Sequence, residues 1–100
     1  MRFEYGPELL AYMEKTGKRN ISVEVASADH SDFDVTELYY RVIDDKTADF
    51  LIKNRRFRAV ESEAGRVLLP NYHLEYAPVV TFHRKKYWVF HRLTAEGISL

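Results

Sequence analysis

The segment GPELLAYMEKTG, residues 6–17, constrains the fold more than any other stretch of the chain. Gly6 suits an N-cap, Pro7 the first helical position, Glu8 the positive end of the helix dipole and Gly17 a left-handed stop, so the pattern predicts a helix over 7–16. Leu9 and Met13 stand four apart and Leu10 joins them in one apolar stripe, which leaves Glu8, Glu14 and Lys15 for water. A helix this short does not hold in water on its own. Its stripe has to be buried against other elements, and the remaining sequence offers strands.

From Asn20, Ile21, Val23 and Val25 alternate with Ser22, Glu24 and Ala26, the period of a strand with one dry and one wet face. Residues 26–36, ASADHSDFDVT, are rich in turn-forming side chains and predict a loop. A second strand over 37–43 sets Leu38, Tyr40 and Val42 on one face and Tyr39, Arg41 and Ile43 on the other, with both faces partly covered. Asp45 can cap a short helix near 46–52 with Phe50 and Leu51 buried, although Phe50, Leu51 and Ile52 also fit a strand. Residues 57–61 and 66–69 flank SEAG as a hairpin that Pro70 ends. Residues 74–83 and 87–93, separated by Arg84, Lys85 and Lys86, are expected to pair antiparallel, with Pro78 on an edge or at a bulge.

With 100 residues the chain can enclose one small core, so a single domain over 1–100 is expected and a two-domain enzyme is excluded. No apolar run approaches the ~20 residues needed to cross a bilayer, and no basic-then-apolar leader opens the chain, which predicts a cytoplasmic protein with no membrane partner. The absence of cysteine removes disulfides, thiolate metal ligands, thiolate-held iron–sulfur clusters and cysteine nucleophiles together. The 15 basic and 15 acidic residues cancel, so no global field recruits nucleic acid or anionic lipid. The halves differ: residues 1–50 hold 6 basic and 11 acidic groups, residues 51–100 hold 9 and 4. Such polarity is neutralised inside one fold, or supplies complementary patches for a homo-oligomer.

Glycines at 6, 17, 65 and 97 cannot compose a G-x-G-x-x-G fingerprint or a P-loop, and neither G-x-S-x-G nor H-E-x-x-H occurs, so no catalytic motif is found. Asp29, His30, Asp32 and Asp34 crowd oxygen and imidazole ligands into one loop and are the candidate set for a divalent cation, though the glycine of an EF-hand is missing and Asp and Ser are ordinary turn formers. His83 and His91 do not meet. A turn at Arg84 to Lys86 sets His83 opposite Tyr87 and His91 opposite Val79, four residues or roughly 13 Å apart along the strand, and a two-residue turn puts them on opposite faces. Two basic clusters, Lys53, Arg55, Arg56 and Arg58 around Phe57 and Arg84, Lys85 and Lys86 beside Tyr87 and Trp88, resemble a single-strand nucleic-acid platform over 53–92; Lys/Arg-rich turns also keep edge hairpins soluble. The tyrosines with Phe3, Phe33, Phe50, Phe57, Phe82, Phe90 and Trp88 either fill a core or line a pocket.

Taken in order, GPELLAYMEKTGKRNISVEV, ADHSDFD, RFRAVESEAGRVLLP and KYWVFHRLTAEGI resemble the HesB/IscA-like domain of A-type iron–sulfur biogenesis proteins over nearly the whole chain. The resemblance lies in element order, in the short helix that runs through a Gly-ended turn into an apolar strand, and in a terminal strand reaching Gly97 and Ile98. It implies a compact β-rich fold with a packed helix, frequent self-association, and handling of iron or clusters through cysteines after the first strand. Here that loop, Ala26 to Asp34, has no thiol, and the sequence stops at Leu100 where scaffold members continue into a cysteine-bearing tail, so no functional residue is carried over. The expectation is an α+β domain, an N-terminal helix packed on a mixed, mainly antiparallel sheet, acting as a cysteine-free HesB-like binding or protein-interaction module without a cofactor. Metal binding by residues 29–34 and nucleic-acid binding by residues 53–92 are the alternatives.

Overall fold

A computed structural model of the chain describes residues 1–29 and 34–100. The fold is α+β, mostly strands: β1 (Arg2–Tyr5), α1 (Pro7–Thr16), β2 (Asn20–Asp29), β3 (Asp34–Ile43), α2 (Asp45–Arg55), β4 (Arg58–Ser62), β5 (Gly65–Leu69), β6 (Glu75–Tyr87) and β7 (Phe90–Ser99). The strands form two mixed sheets rather than the single one expected. One has the order β1-β6-β7 and the other β3-β2-β5-β4. In the first sheet a parallel pair adds β1 to the antiparallel β6–β7 hairpin, and in the second the parallel pair β2 with β5 joins the antiparallel pairs β2–β3 and β4–β5.

The helix α1 has the predicted limits, with Gly6 in an extended N-cap conformation and Gly17 left-handed, its N–H donating to the Met13 carbonyl. Leu9 and Met13 are buried, but Leu10 is exposed: the stripe facing the sheet is narrower than the sequence suggested. The Gly6 N–H donates to the Phe82 carbonyl at 2.8 Å, which ties the helix start to β6. Phe82 is the centre of the core. It stacks with Phe3 at 5.9 Å between ring centroids and meets Tyr5 and, edge-on from the other sheet, Tyr40, each at 6.0 Å. Ile21, Val23, Val67, Leu69, Leu74 and Val80 complete the apolar layer around it. Burial of a ring of this size contributes roughly 1.5–3 kcal/mol.

The β2–β3 hairpin corrects the loop expected over 26–36. The ladder continues to the pair Asp29↔Asp34, so β2 runs three residues further and β3 starts three residues earlier than the polar composition indicated. Turn-forming side chains set a preference, and a long antiparallel ladder overrode it here.

A second, smaller core lies on the outer face of the four-stranded sheet. There α2 packs Ala48 and Leu51 against Ile43 and Leu68, with Ile52 and Phe57 beside them. The N-cap is Asp44, not Asp45; its side chain accepts from the Thr47 N–H at 2.8 Å. Phe50, expected inside, is 53% exposed, because two helical positions from Ala48 turn a side chain nearly to the opposite face. The β4–β5 hairpin forms with a shorter connection than the expected SEAG, since Ser62 and Gly65 pair and only Glu63 and Ala64 make the turn, and β5 ends at Leu69 before Pro70. Pro78 lies where the β6–β7 register shifts, the irregular stretch that a residue without an N–H requires. The final turn is corrected: it is Trp88 and Val89, and Arg84, Lys85 and Lys86 belong to the ladder, paired with Leu93, Arg92 and His91. The strand β1, Arg2–Tyr5, is an addition to the elements that the sequence predicts.

Candidate functional site

The residues that gather into a site are not those a motif search selects. Along β2, Ile21 and Val23 enter the main core, which turns Ser22 and Glu24 to the outer face. That face was expected to be wet, yet Ser22 is fully buried and Glu24 is 9% exposed. The β2–β3 register explains why: Ser22 faces Arg41 and Glu24 faces Tyr39, so four polar side chains form one block on the same side of the sheet.

The Glu24 carboxylate is the acceptor at the centre of this block. Its Oε2 accepts from Ser22 Oγ at 2.7 Å and from Arg41 Nε, and its Oε1 accepts from Arg41 Nη2 and the Tyr39 hydroxyl, each at 3.2 Å. A nearly buried carboxylate with four donors around it is compensated, and none of its oxygens is left to act as a general base. The hydrogen bond to Glu24 holds the Arg41 guanidinium above its already high ordinary value. Burial, and then the neighbouring Glu24 charge, push the Tyr39 hydroxyl up from the ordinary tyrosine value. Two of the five N–H donors of Arg41 serve Glu24, which leaves three for a group lying over the block.

A groove of about 600 Å³ stands on this floor. Thr47, Phe50, Leu51 and Arg55 of α2 form one wall, Pro70, Asn71 and Tyr72 the other, with Phe57 between them. The volume falls in the range of small-ligand clefts. Phe50 and Tyr72 are each about half exposed, so the walls present aromatic surface to solvent. A polar latch fixes the position of α2. The buried Asn20 donates to the Ile43 carbonyl at 3.2 Å and to Asp45 at 2.9 Å, and accepts from Arg66 Nε at 2.8 Å. Arg66 in turn pairs with Asp49 at 3.1 Å and Asp45 at 3.6 Å. These contacts join two acidic residues of the first half of the chain, Asp45 and Asp49, to one basic residue of the second, Arg66.

The metal set proposed from sequence is only partly in view. Asp29 and Asp34 are backbone partners at the end of the β2–β3 ladder, while His30 and Asp32 lie outside the described residues, as does Phe33. Among the described residues no group of three or more His, Asp or Glu side chains is placed to hold a metal ion. His83 faces Thr94, not Tyr87, and lies 3.9 Å from Glu96; His91 faces Lys86, not Val79, and is bonded to Arg84 at 2.9 Å. The two histidines are on opposite faces of the β6–β7 ribbon, the consequence of a two-residue turn. The basic clusters do not merge, since Lys53 to Arg58 belong to the end of α2 and to β4, and Arg84 to Lys86 to the other sheet. Of the aromatic residues, Phe3 and Phe82 fill the core, Phe50 and Phe57 line the groove, and Trp88 and Phe90 are exposed at the β6–β7 tip. Glu24 and Arg41 went unnoticed in the sequence because a polar residue at an alternate strand position reads as solvated. The only available signal was an opposite-charge pair, Glu24 and Arg41, on two successive predicted strands. No helix among the described residues is long and apolar enough to cross a membrane. No protein-family model, curated protein or solved structure matches the chain.

Proposed function

We propose that this protein is a non-enzymatic binding module whose outer groove takes an acidic peptide segment with an aromatic or large aliphatic anchor. The carrying observation is the groove itself: Arg41, anchored by Glu24, lies at its floor with free N–H donors, Arg55 stands on its wall, and Phe50, Phe57 and Tyr72 offer apolar contact. With Glu24 neutralised by Arg41, Arg55 leaves the lining net positive, which favours a carboxylate over an amine. The ring contacts supply burial for the anchor.

The resemblance to HesB/IscA-like domains supports the same class of role. On that reading the chain keeps a family architecture, has no thiolate to hold a cluster, and acts in the cytosol by contact with a protein partner or a second copy of itself. The groove is tested by titrating isotope-labelled protein with N-acetyl-phenylalanyl-glutamate and following backbone amide resonances. Saturable shifts confined to the Glu24, Arg41, Phe50, Arg55 and Tyr72 neighbourhoods are expected, lost in Arg55→Glu. Shifts that are absent at millimolar peptide, or spread over the whole surface, overturn the proposal.

A further inference from the structure

The β6–β7 hairpin outruns its own sheet. Pairing with β1 stops at Phe82, whereas the β6–β7 ladder continues to Tyr87↔Phe90, so the outer part of the hairpin is a two-stranded arm. Its tip carries consecutive apolar and aromatic side chains in open water: Trp88 is 88% exposed and Val89 and Phe90 are each 71% exposed, next to the half-exposed Tyr87. Trp88 also adopts φ 58, the left-handed region, at a two-residue turn where glycine or asparagine carries little or no penalty. The chain thus holds a bulky indole outward in a conformation it disfavours, a combination that points to function.

Cations stand directly behind the tip. Lys85 faces Arg92 on one side of the arm and Lys86 faces His91 on the other, while no acidic residue occurs between Glu75 and Glu96. Arg84 braces the base: its guanidinium lies 4.2 Å above the Tyr12 ring of α1 and is bonded to His91. The whole chain is electrically neutral, but this arm is not. From Lys85 to Trp88 is three residues, about 10 Å at the rise of a strand. That matches the roughly 5–10 Å to which interfacial segments sink into the boundary between headgroups and acyl chains.

We infer that the β6–β7 tip is a peripheral docking element for an anionic lipid bilayer, with Trp88, Val89 and Phe90 entering the interfacial layer and Lys85, Lys86 and Arg92 meeting the headgroups. The layering, apolar tip in front and cations on both faces behind, fits a planar interface that changes from charged to apolar with depth. Single-stranded nucleic acid is less well matched. It needs a basic groove alongside stacking rings, whereas this surface is a convex point, and Val89 has no ring to stack. The inference is independent of the groove on the other sheet.

Trp88 is the only tryptophan, so its emission reports the tip directly. Purified protein is mixed at low salt with vesicles of phosphatidylcholine alone, or of phosphatidylcholine and phosphatidylserine in a three-to-one ratio, and emission and co-sedimentation are read. A blue shift and sedimentation with the anionic vesicles are expected, weakened by salt. Lys85→Gln with Lys86→Gln is expected to cut partitioning roughly 25-fold, at about fivefold for each cation removed. Trp88→Ala, followed by sedimentation, is expected to cut it about tenfold; circular dichroism checks that both variants remain folded. Failure to bind, or equal binding to neutral and anionic vesicles, overturns the inference. Retention by oligothymidylate without vesicle binding overturns it in favour of nucleic acid. A lipid-free blue shift that grows with protein concentration, again without vesicle binding, overturns it in favour of a second copy covering the tip.

Discussion

Arg41 reaches Glu24 diagonally across the β2–β3 ladder: its direct partner in the register is Ser22, and that of Glu24 is Tyr39. Truncating the guanidinium leaves a nearly buried carboxylate with only two hydroxyl donors. Arg41→Ala is expected to destabilise the fold by about 2 kcal/mol, below the full cost of an orphaned buried charge because the Arg41 side chain is 48% exposed. Adding Glu24→Gln is expected to recover part of the loss, a coupling that a urea-denaturation double-mutant cycle measures. Strictly additive effects would show that the two side chains do not stabilise each other.

Gly65 and Gly17 both have positive φ and are predicted to respond differently to a methyl group. At Gly65, φ 145, an added Cβ would lie 1.8 Å from the Arg19 carbonyl oxygen, a backbone atom that cannot move without opening the junction of β2 and β5. At Gly17, φ 72, nothing lies within 4 Å, so only the left-handed conformation is penalised. Gly17→Ala is expected to cost about 1 kcal/mol, and Gly65→Ala to cost several times more or to prevent folding. Thermal unfolding of the two variants compares them, and equal losses would contradict the clash.

Asp44 gives α2 an acid-sensitive start. Its hydrogen bonds with Thr47 hold the carboxyl below the ordinary aspartate value. A group depressed in the folded state contributes stability that is present above its unfolded value and is lost as pH falls through the folded one. Helicity of α2 should therefore be unaffected near neutrality and decline in the acid range below the ordinary aspartate value. Asp44→Asn keeps a capping oxygen and should flatten that decline, as amide exchange at Thr47 and Ala48 measured against pH would show.

Four tyrosines, Tyr5, Tyr39, Tyr40 and Tyr76, are held above the ordinary phenol value, in each case chiefly by burial. The sign is opposite to that of Asp44: their contribution is complete below the unfolded tyrosine value and disappears as pH rises through the folded ones. A spectrophotometric alkaline titration should show a late-titrating class in the native protein that vanishes in denaturant. Tyr5→Phe should reduce that class, and a native titration superimposing on the unfolded one would refute the burial of these hydroxyls.

Legibility in the sequence followed the range of the interactions. The helix α1 was readable to the residue because Gly6, Pro7 and Gly17 act within a single turn, and the β4–β5 hairpin was readable from SEAG and Pro70. The strand β1 was not, since a four-residue edge is defined by Val79 to Phe82, far along the chain. Trp88 misled for a related reason. An aromatic residue beside basic ones reads as strand, and the turn was assigned to the cations when the ladder needed them as strand residues. The groove depended on two long-range facts, the β2–β3 register and the seat of α2 on β2, so Glu24 looked like an ordinary surface carboxylate. The buried side chains Ser22 and Asn20 escaped for the same reason.

The parallel pairing of β1 with β6 also sets a timetable for synthesis. Arg2–Tyr5 is made before its hydrogen-bonding partners, Val79–Phe82, which follow more than seventy residues later. Until then the nascent segment carries Phe3 and Tyr5 uncovered, and the four-stranded sheet, whose strands lie between, can assemble first. Closure of the three-stranded sheet over Phe82 is therefore a late, topologically distant event that slows folding.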